Sequence, residues 1–87
     1  MSTYVWARRA LVEDAGGWYL AALPDGPIMA LSASAVDVVA SIEDGDSAEQ
    51  VVSRIASLFE VSVNDIRADV QRVIDTLVAS GVLEELP

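Results

Sequence analysis

Apolar positions recur along this chain at two periods, and the change from one to the other falls near Leu31. From Ser62 to Gly81 the spacing is helical. Val63, Ile66, Val70, Val73, Ile74 and Leu77 recur at threes and fours and form one stripe, with Arg67, Arg72 and Asp75 outside it. Ser62 stands at an N-cap position, with Asp65 three residues on in a box-like pairing. Val61 and Ile66 have the spacing of a hydrophobic staple, and Gly81 supplies a left-handed stop. This helix is expected to wall the functional surface. The plainer account of each apolar residue in the stripe is core.

Two more helices precede it. Ser32 or Ser34 can cap a first helix carrying Val36, Val39 and Ala40 and ending near Gly45. Asp46 or Ser47 can cap a second, with Glu49 or Gln50 completing a box and a stripe of Val51, Val52, Ile55, Leu58 and Phe59.

Residues 1 to 31 carry aromatic and branched side chains broken by turn signals at Asp14-Ala15-Gly16-Gly17 and Pro24-Asp25-Gly26-Pro27. The spacing predicts strands at about Trp6–Val12, Gly17–Leu23 and Ile28–Leu31, joined as antiparallel hairpins. Pro27 at the start of the third strand marks it as an edge, which a protein must cover or use. After Gly81, Val82-Leu83 is expected to pack back. Three strands followed by three helices make an α+β domain, winged helix-turn-helix-like in order, occupying residues 1–87 as a single unit.

Composition narrows the chemistry. The chain has no cysteine, histidine or lysine, so disulfides, thiolate sites and the commonest general base are excluded. The five bases are Arg8, Arg9, Arg54, Arg67 and Arg72. Glu13, Asp37, Glu43, Asp44, Asp46 and Glu49 sit at turns and helix ends, where caps and solvated faces explain them. No phosphate loop, dinucleotide fingerprint or metal loop is present. The expectation is a protein that is not an enzyme and takes no cofactor. A net charge of −9 repels phosphate backbones, which argues against nucleic acid. With no basic n-region and no apolar run of membrane length, a cytoplasmic location and no membrane partner are expected. An apolar share of 53% is generous for a small protein and leaves surface for a protein or peptide partner.

Two alternatives follow from particular residues. Gly45-Asp46-Ser47 resembles the serine site of acyl carrier proteins, where the serine holds a phosphopantetheine arm, although those proteins are all-helical and Ala48 replaces the usual leucine. A winged helix could instead place its third helix in a DNA groove, but that helix carries Asp65, Asp69 and Asp75 against Arg67 and Arg72.

Five runs in order carry a third reading. They are Leu31-Ser32-x-x-Ala35, Ile42-x-x-Gly45-x-Ser47, Val51-Val52-x-x-Ile55, Asp69-Val70-x-x-Val73-Ile74-x-x-Leu77 and Gly81-Val82-Leu83-Glu84. From about Trp18 to Glu84 the chain resembles the PqqD-like family of recognition elements for ribosomally made, modified peptides. A chain of this size is most similar to the stand-alone leader-peptide-binding protein of lasso-peptide biosynthesis. The resemblance implies a leader peptide held as an added strand on the third strand, with the last helix as the opposite wall. It implies a leader peptidase or other modifying enzyme as partner. Carried over, the peptide-binding residues are Pro27, Ile28, Met29, Ala30 and Leu31 on the strand, and Asp69, Val70, Val73, Ile74 and Leu77 on the helix. Lasso leaders of the family carry a Tyr-x-x-Pro motif, which implies an apolar pocket beside a polar group, here Asp69. Met29 stands where family members often have an aromatic residue.

Overall fold

In the computed structural model, which describes residues 2–87, the elements follow in the order β1 (Thr3–Trp6), β2 (Arg9–Asp14), β3 (Gly17–Ala22), β4 (Ile28–Leu31), α1 (Ala33–Ser41), α2 (Ala48–Phe59), α3 (Val63–Ala79) and β5 (Leu83–Leu86). The expected α+β arrangement is present: β2, β3 and β4 form an antiparallel sheet in that order, and three helices follow. Leu20 of β3 lies opposite Leu11 on one side and Met29 on the other. It is completely buried, and Met29 and Leu31 pack on the same core. The opposite face of this sheet, with Val12, Tyr19 and Ile28, is open to solvent. The β3–β4 turn closes so tightly that a Cβ on Gly26 would lie 2.3 Å from that of Ala22.

The strand expected over Trp6–Val12 is two strands in two sheets. β1 leaves the three-stranded sheet and pairs with β5, setting Tyr4 opposite Glu85 and Trp6 opposite Leu83. The break falls at Ala7-Arg8, where the Ala7 amide donates to the Val82 carbonyl at 2.9 Å and the Arg8 carbonyl accepts from Leu23 at 2.9 Å. The residues after Gly81 therefore do more than pack back: they add a strand. Val82 and Leu83 are buried with Val51, Val52, Ile74 and Leu77 in one cluster between the sheets and the helices.

The helices keep most of their expected signals. Ser32 caps α1 by accepting from the Ala35 amide at 3.2 Å. Ser47 and Gln50 form a reciprocal capping box at the start of α2, with bonds of 3.3 and 2.7 Å. Gly81 takes its left-handed conformation after α3, at φ 82°. Three details differ. α1 stops at Ser41 rather than near Gly45, because Ile42 turns extended and gives its carbonyl to the Trp6 indole at 3.0 Å. Ser62 makes no side-chain cap, and Asp65 is bonded through its amide to the Ser62 carbonyl instead. Leu58 and Phe59, expected on the buried stripe of α2 with Val51, Val52 and Ile55, are exposed in its last turn, just before the left-handed Glu60.

One acid leaves the solvated class. Asp46 is 6% exposed and accepts from the Glu43 amide at 2.9 Å. The Arg54 guanidinium grips both its carboxylate oxygens and also bonds the Ser41 carbonyl. That hydrogen bond to Arg54, with the Glu43 amide and the nearby positive charge, holds the Asp46 carboxyl below the usual carboxylate range against the opposing effect of burial. Among the described residues no helix is long and apolar enough to cross a membrane.

Candidate functional site

Hydrogen-bond parity decides which way β4 offers its backbone. In an antiparallel pair, directly opposed residues alternate between exchanging and not exchanging backbone bonds. The Ala22 amide donates to the Pro27 carbonyl, so the exchanging pairs continue at Leu20–Met29 and Trp18–Leu31. Ile28 and Ala30 therefore turn their N–H and C=O groups away from β3. Among the described residues no strand pairs with that side of β4, which is an edge of its sheet. Pro27 immediately precedes the strand, a position that proline tolerates.

A groove runs beside this edge. Met29, Ala30, Leu31, Ser32 and Ala35 form one side, and Arg72, Val73, Thr76 and Leu77 of α3 the other, enclosing about 290 Å³. Ser80 ties the two sides together: its Oγ lies 3.1 Å from Met29 Sδ and donates to the Thr76 carbonyl at 2.7 Å. The groove continues into a larger hollow of about 580 Å³ between α1, α3 and the end of α2. The two share Ser32, Arg72 and Val73. The larger hollow is apolar where Val38, Ile55, Phe59, Ile66, Val70 and Val73 line it, and Asp37, Asp69 and Arg72 supply polar groups.

Asp69 and Arg72 are paired at 3.1 Å one turn apart on α3, with side chains 71% and 72% exposed. Such a pair in solvent holds its partners loosely. Arg67, the other arginine of α3, is occupied by Glu49 at 2.7 Å and by Asn64 at 2.7 Å. The hydrogen bond and the charge of Glu49 hold the Arg67 guanidinium above its usual range. Both arginines of α3 thus already face acids, which does not fit a helix reading phosphates.

Of the candidate residues, Met29, Ala30, Leu31, Val73 and Leu77 line the groove at the β4 edge, and Asp69 and Val70 line the hollow that continues it. Pro27 and Ile28 lie along the edge but outside the groove lining, with Ile28 74% exposed. Ile74 is buried in the core behind Val73. Sequence reasoning missed Thr76 and Ser32 as lining residues, and it set Arg72 aside as lying off the stripe. A polar residue on the border of the α3 stripe is the signal that would have found Thr76 and Arg72; Ser32 was read only as a cap. Ser47 is elsewhere, buried and committed to its capping box, so its hydroxyl does not fit the exposed attachment point of a carrier.

Residues 17–83 match the family model described as coenzyme PQQ synthesis protein D, PqqD. The chain belongs to the PqqD family. Proteins of this family bind ribosomally made precursor peptides and work with the enzymes that modify them. The matched span contains β3, β4 and all three helices, and so every residue lining the PqqD-family groove described above. No curated protein and no solved structure matches the chain.

Proposed function

We propose that this protein binds the leader segment of a precursor peptide as a strand added to β4. It then delivers the precursor to a leader peptidase or other modifying enzyme in lasso-peptide-type biosynthesis. The observation that carries this is the coincidence of the unpaired backbone of Ile28 and Ala30 with an apolar groove along the same edge. Main-chain bonds to the edge supply affinity, and pockets for alternate side chains supply selection. Pro27 to Leu31 form the pairing side. Val73 and Leu77 wall the groove, with Ile74 supporting them from the core. Asp69 and Val70 line its continuation. An aromatic residue with a polar tip, such as the tyrosine of a Tyr-x-x-Pro leader, suits a hollow that is apolar within and carries Asp37, Asp69 and Arg72.

The protein does no bond chemistry in this reading. It presents the peptide, and the partner enzyme acts on it in the cytoplasm. The test is to incubate the protein with a precursor bearing a Tyr-x-x-Pro leader, measuring binding by calorimetry and peptide mass together. Saturable binding with unchanged mass is expected. A covalent change of the peptide by this protein alone, or no binding to the leader, would overturn the reading.

A further inference from the structure

The three-stranded sheet has a second open edge, and its charges repeat in reverse. Among the described residues β2 pairs with β3 on one side only. The Leu23 amide donates to the Arg8 carbonyl, so by the same parity Arg8, Ala10, Val12 and Asp14 bond inward to β3. Arg9, Leu11 and Glu13 turn their backbone groups outward. Edges are usually blunted by proline, lysine, a bulge or a covering element. β2 contains no proline or lysine, its register with β3 is continuous, and Leu11 and Val12 are 43% and 51% exposed.

We propose that this edge is the interface between two copies of the chain, joined antiparallel about Leu11. In that register Leu11 faces Leu11, Arg9 faces Glu13, Ala10 faces Val12 and Arg8 faces Asp14. Leu11 and the Arg9–Glu13 pairs are the outward-bonding positions, so the ladder and the charge pairing fall in the same register. A shift by two residues keeps the bonding parity but separates the charges. Arg9 on this strand and Arg8 just before it are two of the five arginines of a −9 chain, balanced by Glu13 and Asp14 at the other end, so the strip is locally neutral on an acidic molecule. Arg9 stacks over the Trp6 ring at 4.2 Å, which fixes its stem and leaves the guanidinium edge to bond a carboxylate. The arrangement is isologous and closes at two copies. It joins two sheets into six strands and leaves both β4 edges free. A six-residue edge is small for a stable interface, so the association is weak and concentration-dependent.

Sedimentation equilibrium of the full chain from about 10 μM to about 1 mM, a range suited to a weak interface, reads this directly. A reversible dimer is expected. Glu13→Arg sets arginines against Arg9 twice per dimer and is expected to weaken it roughly tenfold or more. The double swap Arg9→Glu with Glu13→Arg restores it. Leu11→Pro, which removes an outward amide and no bond to β3, abolishes it, with circular dichroism confirming the fold of each variant. A parent that stays monomeric throughout overturns the proposal. So does a Glu13→Arg variant that dimerises like the parent, a swap that fails to restore association, or a dimer lost on Ala30→Pro but indifferent to Glu13→Arg.

Discussion

Tyr19 and Ala30 face each other across β3 and β4 as a pair that exchanges no backbone hydrogen bonds, which leaves the Ala30 amide and carbonyl aimed out of the sheet. Proline at this position removes a donor that the folded protein does not use. Ala30→Pro is therefore expected to keep a cooperative melt and to lose most leader binding. Met29→Pro is the control. The Met29 amide bonds to Leu20, so its loss breaks the ladder and is expected to destabilise the fold by about 3 kcal/mol or more. If Ala30→Pro binds leader as the parent does, the peptide does not add to β4.

Val73 and Ile74 are adjacent and differ in exposure: Val73 is half-buried and lines both hollows, while Ile74 is fully buried. Val73→Asp brings a carboxylate against the apolar side chain of the peptide and is expected to weaken binding about tenfold or more, with a modest fall in Tm. Ile74→Asp buries an unpaired charge and is expected to abolish folding. Thermal melts beside binding isotherms distinguish the two. A folded Val73→Asp with parental affinity would place the groove elsewhere.

The legible parts of this fold and site are those written in short-range periodicity. The α3 stripe, the α2 capping box, the Gly81 stop and the edge character of β4 each depend on residues within a few positions of one another. The division of Trp6–Val12 between two sheets depends on Val82 and Leu23, which lie far along the chain. β5 was hidden because Leu83-Glu84-Glu85-Leu86 has two acids at its centre and becomes a strand only by pairing with β1. The larger hollow was hidden for a related reason. Its outer wall includes Phe59 and Val61, which flank the left-handed Glu60 between α2 and α3, a corner that the stripe of neither helix describes.

Asp69 tests the polar side of the site. Its ion pair with Arg72 lies in solvent, so Asp69→Ala is expected to leave Tm nearly unchanged, within about 1 kcal/mol. If Asp69 accepts a hydrogen bond from the leader, the same variant weakens binding by about 1 kcal/mol, roughly fivefold. Replacing the leader tyrosine by phenylalanine should cost a similar factor against the parent and nothing further against Asp69→Ala. Additive losses in that cycle would show that the two groups do not meet.

Asp46 governs stability rather than recognition. Its carboxylate gathers Arg54 and the Glu43 amide, and its backbone carbonyl accepts from Tyr4 at 2.8 Å, so the turn between α1 and α2 is tied to β1. Asp46→Asn keeps the size but removes the charge facing Arg54. With Arg54 itself about one-third exposed, the loss is expected to be about 1–3 kcal/mol. The pH dependence follows from the lowered carboxyl pKa. The unfolded chain binds the proton first as pH falls, so the contribution of Asp46 is fully present above the ordinary carboxylate value of 3.8 and is lost as pH falls through the lowered folded value. Urea melts of the parent and of Asp46→Asn should therefore differ most at neutral pH and converge as pH drops below that ordinary value. Curves that stay parallel across the acid range would show that the Arg54 contact does not hold the carboxylate in its charged form.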